Sequence, residues 1–234
     1  MTTPQNDQNP FPDWHDPSLE KKLEHAFAEL SLAKEEKAKI TSLLAPLRNT
    51  HEFTNYHYQH SVRVGLLCYD IADFMHLDKK ILLYCGIMHD IGKSCVPLEL
   101  LAKADVRLSE NTVWTPEDHE AMKAHVTKSY ELTKDAVIKD VGLLWIPDIV
   151  VRHHRYGADP YPKELPAFPA EYSEGTKAVV GFYSRLVALA DVYDALHRLD
   201  QKQRSEEEIR EYMFRQHPEV EGLVEKLYKE GIFK

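Results

Sequence analysis

Apolar positions along the chain recur with the period of a helix, and no stretch alternates with the period of a strand. Leu23, Ala26, Phe27, Leu30 and Ala33 form one stripe behind Ser18, a residue suited to an N-cap. This predicts a helix from 18 towards 44, ended or kinked by Pro46. His60, Val64, Leu67, Ile71 and Phe74 form a second stripe, predicting a helix over 55–75. Asp78 should cap a short apolar helix over 81–88, with Gly92 as the stop signal beyond it. Thr115-Pro116-Glu117-Asp118 reads as a helix start, carrying the chain through His125 to about Lys134. Pro147-Asp148 opens a shorter helix that ends at His153-His154. Residues 155–176 are rich in Pro and Tyr and read as a long loop, a length that in a compact domain usually carries function. A strongly apolar helix follows over 177–199, Ser205-Glu206-Glu207-Glu208 caps another, and the last runs over 219–230 before Gly231. The expected fold class is all-α.

Composition narrows the function. Only 9 glycines in 234 residues agree with a helical chain short of turns. A net charge of −9 argues against polymeric nucleic acid as partner, since that needs clustered Lys and Arg. No run approaches the roughly 20 apolar residues of a membrane span. Residues 1–17 hold four prolines and no apolar segment, and read as a flexible leader rather than a secretory signal. Cys68, Cys85 and Cys95 lack metal-knuckle or disulfide spacing, so the expected compartment is the cytoplasm.

The count of 13 histidines is unusual, and their placement more so. Asp191 lies inside the most apolar helix, where an unpaired carboxylate is costly. His89-Asp90 ends one apolar helix and His60 heads another; His153-His154 and His125 come from two more. Each has a plain structural explanation alone: a satisfied core histidine, a carboxylate on an arginine or a helix N-terminus, a solvated helix end. Together, five histidines and two aspartates converging from separate helices suit a metal cluster in the middle of a bundle.

His60, His89-Asp90 and Asp191 resemble the H…HD…D signature of the HD superfamily of metal-dependent phosphohydrolases. The wider set resembles its HD-GYP branch of cyclic-dinucleotide phosphodiesterases: His-Asp-Ile-Gly-Lys at 89–93, His125, His153-His154, Tyr161-Pro162, and Ala-Asp-Val-Tyr-Asp-Ala-Leu at 190–196. There are departures. The branch has Glu after the paired histidines, where this chain has Arg155; its Gly-Tyr-Pro is Pro160-Tyr161-Pro162; and the Glu that some members place four residues before the first His is Tyr56.

The resemblance implies an HD-domain helical bundle around a binuclear metal centre, with an N-terminal helical segment over 18–50 and an HD/HD-GYP-like catalytic domain over 51–234. It implies two divalent transition metals bridged by Asp90, one taking His60, His89 and Asp191, the other His125, His153 and His154. Imidazole and carboxylate ligands suit Fe or Mn first, then Zn or Ni. A metal-bridging hydroxide would then hydrolyse a phosphodiester of a nucleotide or a cyclic dinucleotide of the cyclic di-GMP type. Asp90 and Lys93 are the expected catalytic residues. Lys93, Arg155, Tyr161 and Arg185 are the expected substrate contacts, with Tyr156, Phe168 and Tyr172 available either to stack a base or to pack the loop. The partner is a phosphate-containing small molecule, with a homodimer left open. Two other functions stay in play: an HD-fold di-iron oxygenase on a small organic substrate, and a non-catalytic nucleotide-binding sensor.

Overall fold

The first expected helix is in fact two. A computed structural model describes residues 17–48, 52–104, 113–141, 143–157, 159–197 and 204–234; the expected leader lies outside these except for its last residue. Helix α1 spans Pro17–Glu29 and α2 spans Lys34–Arg48. Between them Ser31 takes a left-handed φ of 51°, and the Leu32 amide reaches back to the Phe27 carbonyl, closing the helix end without a glycine. Ala33 N–H then donates to the Glu36 carboxylate, which restarts the chain as α2. Pro46 does not end α2, which continues to Arg48; so close to a helix end, a proline removes one amide donor and little else.

Helix α3 spans Glu52–Met75 and ends at His76, again left-handed, with a φ of 56°. Asp78 caps α4, Lys79–Met88, accepting from the Ile81 amide. Gly92 is not the stop of α4: it sits inside a 3-10 turn, Ile91–Cys95. Its role is close approach, since a Cβ there would lie 2.0 Å from the His125 carbonyl oxygen. A short helix with no clear sequence signal, α5, covers Leu98–Ala104. The expected helix from Thr115 is interrupted at Ala124 into α6, Pro116–Lys123, and α7, His125–Val141. Thr115 and Asp118 form the reciprocal capping box that the sequence signalled. Helix α8, Ile146–Val150, leads into a 3-10 turn at His153–Tyr156. Helix α9 starts earlier than expected, Glu174–Leu196, because Ser173 caps it. Helix α10, Glu206–Gln216, is capped by Ser205 and Glu208 as expected. A 3-10 turn at Pro218–Val220 precedes α11, Glu221–Lys229. The described residues contain helices and turns but no strand, in accord with the expected all-α class.

Helices α3, α4, α8 and α9 share one hydrophobic core, with Val64, Ile71, Leu83, Ile87, Ile149, Val187 and Leu189 fully buried. Helices α1 and α2 add Phe27, Ile40, Leu44 and Leu47 to that same core. Their charged faces tie down onto α3 and α4 through Tyr58 to Glu20 at 2.7 Å and Lys80 to Glu36 at 2.6 Å. The N-terminal segment therefore packs onto the bundle.

Gly65 and Gly86 set the spacing of α3 and α4. A Cβ on Gly86 would lie 2.7 Å from the Gly65 Cα and 2.8 Å from the Val64 carbonyl oxygen, and backbone cannot move aside as a side chain can. Gly86→Ala is therefore expected to push the two helices apart. Overpacking of this kind costs about 1–3 kcal/mol, which lowers the melting temperature of a chain this size by at least about 2 °C. A thermal melt equal to that of the wild type would count against this packing.

Candidate metal centre

His60 lies within α3, His89 follows the last turn of α4, and Asp90 precedes the turn that carries Lys93. His125 is the first residue of α7, and His153 and His154 open the turn after α8. Asp191 comes from the second-last turn of the apolar helix α9. All seven side chains that the sequence singled out as ligands meet in one place. His60, His89, Asp90, His125 and His153 are buried to 3% exposure or less, Asp191 to 8%, and His154 is part-exposed.

Helix ends prepare the imidazoles. The last carbonyls of a helix have no amide partner within it. The Nδ1 of His89 bonds the Gly86 carbonyl at 2.7 Å, that of His125 the Met122 carbonyl at 2.6 Å, and that of His153 the Val150 carbonyl at 2.6 Å. A carbonyl only accepts, so each Nδ1 carries a proton and each Nε2 faces the centre. Asp90 stands between two groups of nitrogens. Its Oδ2 lies 3.3 Å from His89 Nε2 and 3.5 Å from His60 Nε2. Its Oδ1 lies 3.0 Å from His125 Nε2 and 3.9 Å from His153 Nε2. Asp191 Oδ1 is 3.1 Å from His60 Nε2, and its Oδ2 is 4.0 Å from His154 Nε2.

The donor set fits cations. Asp90 Oδ1, His125 Nε2 and His153 Nε2 are buried and have no hydrogen-bond partner. Asp90 Oδ1 and His125 Nε2 face each other at 3.0 Å, and a buried carboxylate ringed by imidazole nitrogens is a donor set that a cation would join. Two sets within reach of a single ion are Asp90, His125, His153 and His154, and His60, His89 and Asp90; His89, His153 and Asp191 form a third, overlapping set.

The charges respond to this crowding. Burial resists ionisation of Asp90, yet His89, Lys93 and His125 hold its carboxyl well below the usual range. Burial opposes Asp191 likewise, and His60 and His89 hold it low. His60 is disfavoured as a cation by burial, but Asp191, Asp194 and Asp90 raise it to about 10. His89 is raised to about 9 against its burial by Asp90 and Asp191. His153, buried beside the cationic His89, falls to about 3.

A cavity of about 390 Å³ opens onto the centre, within the range of small-molecule sites. His60, His125, His154 and Asp191 form its floor, and Tyr56, Lys93, Tyr161, Arg204 and Tyr212 are among its walls. Of the expected substrate contacts, Lys93 and Tyr161 are there. Lys93 Nζ pairs with Asp90 Oδ2. Tyr161 stacks on His154 with ring centroids 4.4 Å apart.

Arg155 and Arg185 are held elsewhere. Arg155 Nη1 donates to the Pro162 carbonyl at 2.8 Å, so the residue that replaces Glu after the paired histidines anchors the Tyr161 loop. Arg185 forms an ion pair with Glu219 and lies over the Tyr156 ring at 4.0 Å. Three loop aromatics also pack rather than line the cavity: Tyr156 donates to the Gly181 carbonyl, and Phe168 lies beside Tyr172, whose hydroxyl donates to the Leu144 carbonyl. Tyr212 had no sequence signal, since nothing in a linear pattern says that α10 returns to the centre.

A bundle that brings a His, a His-Asp pair and a distant Asp into contact defines a family, and the HD domain family matches residues 57–196. The chain belongs to the HD domain family. Among characterised relatives, 3'3'-cGAMP-specific phosphodiesterase 1 of Vibrio cholerae serotype O1 is 28% identical over 173 residues, 73% of this chain and 35% of that protein. The chain thus spans about a third of the length of that relative. Two crystal structures of the L. monocytogenes phosphodiesterase PgpH HD domain align over 82% of this chain and 86% of that one. The first does so at 19% identity and a TM-score of 0.48; the second, in complex with cyclic-di-AMP, at 16% and 0.46.

Proposed function

We propose that this chain is a metal-dependent phosphodiesterase that hydrolyses a cyclic dinucleotide or a related small phosphodiester. The observation that carries the reading is Asp90, whose two carboxylate oxygens face two separate sets of histidines. A residue so placed could be shared by two ions: His60, His89 and Asp191 would hold one, and His125, His153 and His154 the other. Divalent ions bound there supply a water ionised near neutral pH and positive charge for the phosphoryl oxygens. Nitrogen and carboxylate donors favour Fe or Mn, with Zn or Ni also suited.

The chain's own residues do the rest. Lys93 presents an ammonium at the cavity wall, beside Asp90, where it can hold a phosphate oxygen. Tyr161 is fixed over His154 by its ring stack and by its own amide, which donates to the His154 carbonyl at 3.2 Å, giving a base a flat face next to the floor. The paired His153 and His154 both fill the centre, which favours hydrolysis over oxygenase chemistry, since dioxygen and an organic substrate need open positions. The Vibrio cholerae relative's name supports the same substrate class. A net charge of −9 on the chain suits a small anion drawn to a local positive centre rather than a polymer.

A screen of metal-loaded protein against cyclic dinucleotides, linear dinucleotides, cyclic mononucleotides and nucleoside triphosphates tests the proposal. Linear dinucleotide or mononucleotide products from a cyclic dinucleotide support it. Tight binding without turnover supports the sensor reading instead, and oxygen consumption with an organic substrate the oxygenase one.

Metal uptake should also release protons. Without metal, His60 and His89 remain imidazolium up to about pH 10 and 9. Both must lose a proton to bind, so uptake at pH 7 should release about two protons and affinity should rise with pH towards 9. The sign for stability is opposite. A histidine raised by folding stabilises the native state fully below its ordinary value and loses that contribution as pH climbs through the raised one. The metal-free protein should therefore melt at lower temperature at pH 10 than at pH 6.5. Calorimetry in buffers of differing ionisation enthalpy reads the protons; a heat that does not depend on the buffer contradicts the assignment.

A further inference from the structure

His60 is oriented differently from the other imidazoles whose Nδ1 is bonded. His89, His125 and His153 sit at helix ends and use a spare backbone carbonyl three residues back. His60 lies inside α3, where the preceding carbonyls already accept from the helix's own amides, so no spare backbone acceptor exists. Its Nδ1 instead meets Asp194 Oδ2 at 2.7 Å. Asp194, only 6% exposed, is held in turn by Arg63, with Nε 2.6 Å from Oδ1 and Nη2 3.0 Å from Oδ2. Arg63 follows His60 by one turn of α3, and Asp194 follows Asp191 by one turn of α9. The two helices thus meet twice, once through His60 and Asp191 and once through Arg63 and Asp194.

We infer that Asp194, clamped by Arg63, is the positioning residue of His60, and that it sets the affinity of the metal position formed by His60, His89 and Asp191. The other position, formed by His125, His153 and His154, does not depend on it. This rests on the metal-centre reading above. A carboxylate behind a ligating imidazole fixes the ring and strengthens its donor nitrogen, and losing such a partner costs about 10–100-fold in metal affinity. The clamp is also reachable. Arg63 and Asp194 line a second cavity of about 390 Å³, with Leu19, Leu66, Leu67 and Ile232, and the Arg63 side chain is 31% exposed. A guanidinium ion therefore has a route to the place of a truncated Arg63.

The test is a metal titration of the full chain against a competing chelator. The wild type should show two sites. In Asp194→Ala one site should weaken about 10–100-fold while the other is unchanged. Asp194→Asn, which keeps an acceptor but not the charge, should fall in between. Arg63→Ala should weaken that same site, and millimolar guanidinium chloride, but not sodium chloride at equal concentration, should restore it. A variant merely loosened in its fold would weaken both sites and show no such rescue, and either result overturns the inference. Unchanged affinities in Asp194→Ala overturn it as well. A wild-type chain that binds no metal overturns the centre itself, a failure distinguishable from a wild type with two sites and a uniform loss in the variants.

Discussion

Asp90→Ala is expected to abolish phosphodiester hydrolysis. Asp90 is 1% exposed, and its oxygens divide closely between the two histidine sets, Oδ2 towards His89 and His60, Oδ1 towards His125 and His153. Alanine removes the shared ligand of both positions and leaves the imidazoles without the charge that opposes their mutual repulsion. The rate should fall by more than the ~10–100-fold that an outer-shell change costs. Steady-state hydrolysis with added metal measures this; activity within tenfold of the wild type would be incompatible with a bridging role. His89→Ala should behave alike, since its Nε2 lies 3.3 Å from both Asp90 and His60.

Lys93→Ala should separate substrate binding from metal binding. Lys93 lines the cavity and pairs with Asp90 Oδ2 without being one of the proposed metal ligands itself. A hydrogen bond to a charged partner contributes about 1.5–3 kcal/mol, so kcat/KM should drop roughly 10–150-fold. Metal content should remain that of the wild type. Measuring both on one preparation decides the role: loss of metal together with activity would make Lys93 a support of Asp90 rather than a substrate contact.

The meeting of the seven candidate ligands was legible in the sequence because burying charge is costly. An aspartate inside an apolar helix and histidines at the heads or ends of other apolar stretches needed a common explanation, and one cluster provides it. The loop aromatics were less legible, because Tyr156 and Tyr161 look alike until the hydroxyl of one is found on Gly181 and the ring of the other on His154. The break between α1 and α2 left no signal because Ser31 takes the left-handed conformation that a glycine would have advertised. Asp194 and Arg63 each stood one helical turn from a proposed ligand, yet only the packing of α9 on α3 joins them. Gly86 reads as an unremarkable helix residue until its contact with Gly65 appears.

Two transition-metal ions are expected around Asp90. Elemental analysis of protein purified without chelator, wild type beside Asp90→Ala, tests this most directly. About two ions per wild-type chain are expected, and almost none in the variant. Full metal content in Asp90→Ala, or a wild type that retains no metal after reconstitution with Fe, Mn, Zn or Ni, would contradict it.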